Sequence, residues 1–277
     1  MNRLARSLFP AAASMAAALI GCATVPHTGR SQLSLFSDDE VQRLGIASYR
    51  EILSQSEIST DPRASGQVRR VGKRLAAAAE DFLRELGYGE RIAGYQWRFT
   101  LIEDDETANA WCLPGGKIAV YTGILPYTEN VDGLAVVIGH EIAHAIAGHG
   151  NERLSQLLLA EMGAVALAAA LEDEPETTRA LALAAYGLGS RIGILLPYSR
   201  TQEYEADRIG LILTARAGYD PREAVPFWKR MMRAPGTEPP EFLATHPATA
   251  DRIREIERFL PEACSYLELG APAREDQ

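Results

Sequence analysis

The chain has 277 residues, of which 47% are hydrophobic and 23% charged, a globular composition with enough length for one sizeable core or two small ones. Its formal charge of −9, with no long basic stripe, argues against nucleic acid as a partner.

In chain order, Arg3 and Arg6 make a basic start, and an Ala-rich apolar run follows from Leu8 to Ile20. Residues 1–22 therefore read as a secretory signal, too short for a membrane span. It ends Leu19-Ile20-Gly21-Cys22, which resembles a bacterial lipoprotein lipobox, with Cys22 as the lipidated residue. Loss of Arg3 and Arg6 would take the charge from −9 to −11. Residues 23–36 are polar, lack periodicity and read as a tether, with His27 inside it. The folded body is expected over residues 37–260. Ser37-x-x-Glu40 is a capping box that opens its first helix. Gln67 to Leu86 carries Val68, Val71, Leu75 and Phe82 at helical spacing. Tyr95 to Leu101 alternates as a half-buried strand. Asn109-Ala110-Trp111-Cys112-Leu113 then leads through Pro114-Gly115-Gly116 into a second strand, Ile118 to Tyr121.

Next comes Val136 to Ile146, which contains His140-Glu141-x-x-His144, with Thr128 or Asn130 as its helix cap. On a helix, residues four apart share a face, so both imidazoles can point at one metal ion. Zn²⁺ accepts neutral imidazole nitrogen well. Glu141 lies about 100° round from His140, within reach of a metal-bound water. The helix is apolar nearly all round, and burying two histidines and a carboxylate without partners is costly. Leu154 to Leu196 reads as two packed helices joined by an acidic loop, a candidate cover for the active site rather than membrane spans.

A two-histidine zinc site needs a third protein ligand. Glu203 and Asp207 are four apart on the next helix. One can bind the metal while the other orients a histidine, and Glu205 points elsewhere. His149, five residues past His144, falls about 140° round a continuous helix and leaves that face. Cys112 and Cys264 are too few for a cysteine zinc site, and their pairing is left open. Residues 261–277 read as a tail.

The ordered motifs resemble one family. His140-Glu141-x-x-His144 is followed by Ser199-Arg200-x-x-Glu203-x-Glu205-Ala206-Asp207. Asn109-Ala110, Pro114 to Ile118 and Thr122-Gly123 precede the helix, and Thr245-His246-Pro247 with Arg252-Ile253 follow. This set is similar to the zinc metallopeptidases of the HtpX, BepA, LoiP and OMA type, peptidase family M forty-eight, in its short lipoprotein branch. The resemblance implies an α+β, mostly helical, zincin-like (gluzincin) domain with a small antiparallel sheet. It implies that His140, His144 and Glu203 hold one Zn²⁺ per chain, that Glu141 is the general base, and that Asp207 orients a histidine. It implies that Asn109 and Ala110 open an edge strand for extended substrate. His246 is expected near the metal, as a fourth ligand in a latent state or as a donor to the oxyanion. The implied function is a zinc-dependent endopeptidase that cleaves unfolded or misassembled proteins of the bacterial envelope, lipid-anchored on the periplasmic face of the outer membrane. The rival is a non-proteolytic chaperone or outer-membrane assembly factor. Glu141 separates the two, because a pure binder needs no general base.

Overall fold

The computed structural model describes residues 21–191, 196–235 and 239–270. The signal-peptide reading of residues 1–20 and the end of the tail lie outside them.

Residues 23–36 do not form a tether. Strands β1 (Cys22–Thr24) and β2 (Ser31–Leu33) pair as an antiparallel hairpin, with Cys22 exposed at its start. The hairpin is docked: Val25 is fully buried, and Gln32 donates its amide to the Ala147 carbonyl at 2.6 Å. Val25 apart, its hold on the body is largely polar, which is why no apolar period marks it.

Helix α1 (Asp38–Ser54) opens on the expected capping box, with Ser37 and Glu40 bonded reciprocally. Helix α2 (Pro62–Glu85) begins earlier than its apolar period suggests. Asp61 caps it, and Pro62 occupies the first turn, where its missing N–H costs nothing. Its Val68, Val71, Leu75 and Phe82 face the core. Strands β3 (Arg98–Ile102), β4 (Ala110–Leu113) and β5 (Lys117–Tyr121) form a sheet in the order β3-β5-β4. It is mixed rather than wholly antiparallel: the β4–β5 hairpin turns the chain back, so β5 runs parallel to β3. This leaves β4 at one edge of the sheet.

After a short α3 (Leu125–Thr128), helix α4 (Val131–Ala147) carries the two histidines, capped by Asn130. It ends at Gly148, whose left-handed φ of 80° suits glycine. Helices α5 (His149–Ala170) and α6 (Glu176–Ser190) are the expected pair, tied by a Tyr186 hydroxyl to the Ala160 carbonyl. Helix α5 is long and apolar enough to cross a membrane by length and composition, contrary to expectation, and little of that stretch is buried. Helix α7 (Leu196–Arg216) crosses α4. Short helices α8 (Ala224–Met232) and α9 (Glu241–Thr245) then lead to α10 (Ala250–Gly270). Helix α10 runs past the expected boundary at 260: Ala263 is fully buried, and Arg208 pairs with Glu262 at 2.8 Å.

What positions the site is the closeness of α4 and α7. Gly139 and Gly210 face each other, and a Cβ on Gly210 would lie 2.9 Å from the His140 backbone nitrogen. Only with both side chains absent can α7 bring its carboxylates to the α4 histidines. Gly210→Ala is expected to cost about 1–3 kcal/mol of unfolding free energy in a denaturant titration, because the clash is with backbone that cannot rotate away.

Candidate active site

His140 and His144 stand one turn apart on α4, with their Nε2 atoms 3.0 Å from each other. Glu203 of α7 reaches both, Oε2 lying 3.3 Å from His140 Nε2 and Oε1 3.3 Å from His144 Nε2. His246, just after α9, places Nδ1 3.2 Å from His140 Nε2 and 2.9 Å from Glu203 Oε2. All four residues are buried, and they form a group able to hold a metal ion. The spacing suits one. Nitrogen and oxygen ligands about 2.0–2.1 Å from a tetrahedral ion stand about 3.3 Å apart. Glu203 Oε1 is buried with no hydrogen-bond partner among the described residues, as a ligand atom waiting for a cation would be. His246 thus takes a place in the cluster itself.

Glu141 lines the cleft beside this cluster, its Oε1 3.4 Å from His246 Nε2 and without a hydrogen-bond partner among the described residues. Burial pushes its carboxyl above the usual range. Burial would raise Glu203 too, but the imidazoles of His144, His246 and His140 hold it well below the ordinary value. Burial drives His144 well below an ordinary histidine. Burial acts the same way on His140, yet the Asp207 and Glu203 carboxylates prevail and push it up to about 9.

Asp207 sits behind the cluster, Oδ1 3.1 Å from His140 Nδ1. Its carboxylate is gripped by Arg252 through two bonds of 2.7 and 2.8 Å. Arg252 is itself buried, stacked over the Trp228 ring at 3.9 Å and 3.2 Å from Glu203 Oε2. The sequence marked Arg252 only as part of a motif and gave it no task.

Of two expectations about nearby residues, one changes and one stands. His149 does not leave the site: Gly148 ends α4 and turns the chain, so His149 returns with Nδ1 2.8 Å from His144 Nδ1. The glycine was the signal, since a left-handed residue voids the helical count across it. Glu205 does point away from the cluster, toward His149, Thr28 and Arg30.

Asn109 and Ala110 lie at the head of β4 and line the same cleft. Asn109 is buried, its Oδ1 accepting from the Ala110 N–H at 2.8 Å and its amide donating to Glu241 at 3.1 Å. Trp111, Cys112 and Leu113 continue the cleft wall, and Cys112 is a free thiol. Of the α5–α6 pair, Gly150, Asn151 and Arg153 at the start of α5 reach the cleft.

A helix presenting two histidines and a glutamate, a second helix presenting a third donor and a sheet edge along the cleft together define a zincin-like metallopeptidase domain. The chain belongs to this class by descent as well: residues 62–260 match the model of Peptidase family M48, and it is a member of that family. It is 34% identical over 244 residues to the mitochondrial metalloendopeptidase OMA1 of Schizosaccharomyces pombe, covering 86% of this chain and 66% of that protein. It is 30% identical over 257 residues to the human mitochondrial metalloendopeptidase OMA1, covering 88% of this chain and 47% of that one. Against the β-barrel assembly-enhancing protease of Escherichia coli the identity is 27% over 241 residues, covering 84% of this chain and 46% of that protein. The chain therefore spans between 46% and 66% of the length of these three. The mitochondrial relatives match with higher identity than the bacterial one. That order overturns the expected placement on the periplasmic face of the outer membrane, which rested on Leu19 to Cys22.

Removing Arg252 would leave Asp207 and Glu203 buried without their guanidinium. Arg252→Leu is expected to lower the unfolding free energy of the metal-free protein by about 3–5 kcal/mol, read by denaturant titration.

Proposed function

We propose that this chain is a zinc-dependent endopeptidase that binds one Zn²⁺ through His140, His144 and Glu203 and cleaves unfolded or misassembled proteins. The observation that carries the reading is the buried cluster itself, with donors at metal-ligand separations and, beside it, Glu141, whose Oε1 has no hydrogen-bond partner among the described residues. Two imidazoles and a carboxylate are a donor set that zinc accepts. When bound, the ion supplies Lewis acidity to a peptide carbonyl and to water.

The remaining work falls to side chains. Glu141 Oε1 takes a proton from water and passes it to the leaving amine, and its raised pKa brings it nearer the working pH. Asp207, clamped by Arg252, orients the ring of His140 from its Nδ1 side, with Oδ1 3.1 Å away. His246 holds a position inside the cluster, as a latent-state fourth ligand would. The open edge of β4, headed by Asn109 and Ala110, pairs with an extended backbone. Such pairing reads main chain more than side chains, which selects unfolded polypeptide. One relative's name refers to β-barrel assembly, in keeping with misassembled substrates.

Glu141→Gln keeps the shape and removes the base. It is expected to retain zinc by metal analysis while losing at least about 10²–10⁴-fold in cleavage of an unfolded protein. Wild-type cleavage by this variant contradicts the proposal. If neither protein cleaves and both suppress aggregation, the groove serves a chaperone. Glu203→Ala is expected to lose most of the zinc, and full retention would move the third ligand elsewhere.

A further inference from the structure

A second line of buried polar groups runs from the N-terminal hairpin to the cluster, and the catalytic reading gives it no task. It starts at Arg30, in the turn between β1 and β2. Arg30 donates Nη1 and Nη2 to the fully buried Glu152 carboxylate, each at 2.7 Å, and Nε to Glu205 Oε2 at 2.8 Å. Thr28 Oγ1 donates to Glu205 Oε1 at 2.6 Å. Glu205 Oε2 also faces His149 Nε2 at 3.3 Å. His149 Nδ1 meets His144 Nδ1 at 2.8 Å, while His144 Nε2 points at Glu203 and His140.

The chain of contacts fixes the protons. Two ring nitrogens 2.8 Å apart need one proton between them. A carboxylate only accepts, so Glu205 requires the N–H of His149 on Nε2. That leaves Nδ1 of neutral His149 as a lone pair, which in turn requires the N–H of His144 on Nδ1. The Nε2 of His144 is then a bare lone pair facing the cluster. The opposite polarity would put a proton on His144 Nε2 and aim it at the other donors.

We propose that His149 and Glu205, held by Arg30 of the N-terminal hairpin, are positioning residues that set the tautomer and ring orientation of His144 for metal binding. The inference rests on the metal-site reading above. It gives the two helix histidines matching support. His140 meets the carboxylate of Asp207 directly, with Arg252 behind it. His144 meets the carboxylate of Glu205 through one inserted imidazole, with Arg30 behind it. Arg30 and Thr28 also precede residue 62, where the family match begins, so the hairpin adds to the metal site from outside that match.

The test compares zinc dissociation constants of the full chain and two variants, measured by competition with a chromophoric chelator, beside thermal unfolding of each metal-free protein. His149→Leu removes both hydrogen bonds. His149→Gln can accept from His144 and donate to Glu205. Groups behind a metal ligand typically affect affinity about 10–100-fold, so His149→Leu is expected to bind zinc that much more weakly, with most of the loss recovered in His149→Gln. Wild-type affinity in His149→Leu overturns the relay. So does an equal loss in both variants that follows their loss of metal-free stability, because that is a packing role. Should His149→Leu not fold, Glu205→Leu reads the same coupling: it removes the acceptor that fixes the proton on His149 Nε2, and its unchanged affinity overturns the relay equally. A wild type that binds no zinc overturns the metal site and the relay together.

Discussion

Uncompensated buried charge is the constraint on which this structure depends. Glu141, Glu203 and Asp207 are all buried within one cluster, and Arg252 is the fully buried guanidinium that faces them. With the three carboxylates ionised and His140 freed of its extra proton to bind metal, two negative charges remain beside Arg252 in the buried cluster, and unpaired buried charge is costly. A divalent cation among His140, His144 and Glu203 balances that deficit. The fold answers the same constraint with geometry: the bare backbones of Gly139 and Gly210 allow the close crossing of α4 and α7 that puts the donors together.

The two metal-facing histidines are tuned in opposite senses in the metal-free protein. His140 lies against two carboxylates and is pushed up to about 9, whereas burial keeps His144 well below the ordinary value. Near neutral pH His140 therefore carries a proton that metal must displace, and His144 does not. Metal uptake should release a proton for this reason. Because the folded value of His140 is raised, its contribution to metal-free stability is present below its unfolded value near 6.5 and fades as pH rises through about 9.

The parts of this site that could be read in the sequence are those written within one helix. His140, Glu141 and His144 follow from helical spacing, and Glu203 with Asp207 from the same rule one helix later. Spacing alone could not choose between that last pair; the motif resemblance could. What escaped depends on contacts distant in the chain or on a break in regularity. Arg252 reaches Asp207 across 45 residues, and Arg30 reaches Glu205 across 175, with no local signature. His149 was excluded by counting a continuous helix across Gly148, where the backbone is left-handed. The hairpin over 22–33 looked like a tether because hydrogen bonds and ion pairs anchor it with little apolar surface. The mixed sheet was hidden because strand direction follows from the β4–β5 turn and from how β5 docks on β3.

Zinc K-edge X-ray absorption on the zinc-loaded wild-type protein tests the central claim most directly, because it counts the atoms around the ion. A shell of nitrogen and oxygen at about 2.0–2.1 Å is expected, with the multiple scattering of at least two imidazoles and of a third where His246 stays in place. A sulfur shell at about 2.3 Å would place the ion on a cysteine such as Cys112 in the cleft wall, and an all-oxygen shell without imidazole would place it away from α4. Either result would contradict a metal centre built on His140, His144 and Glu203.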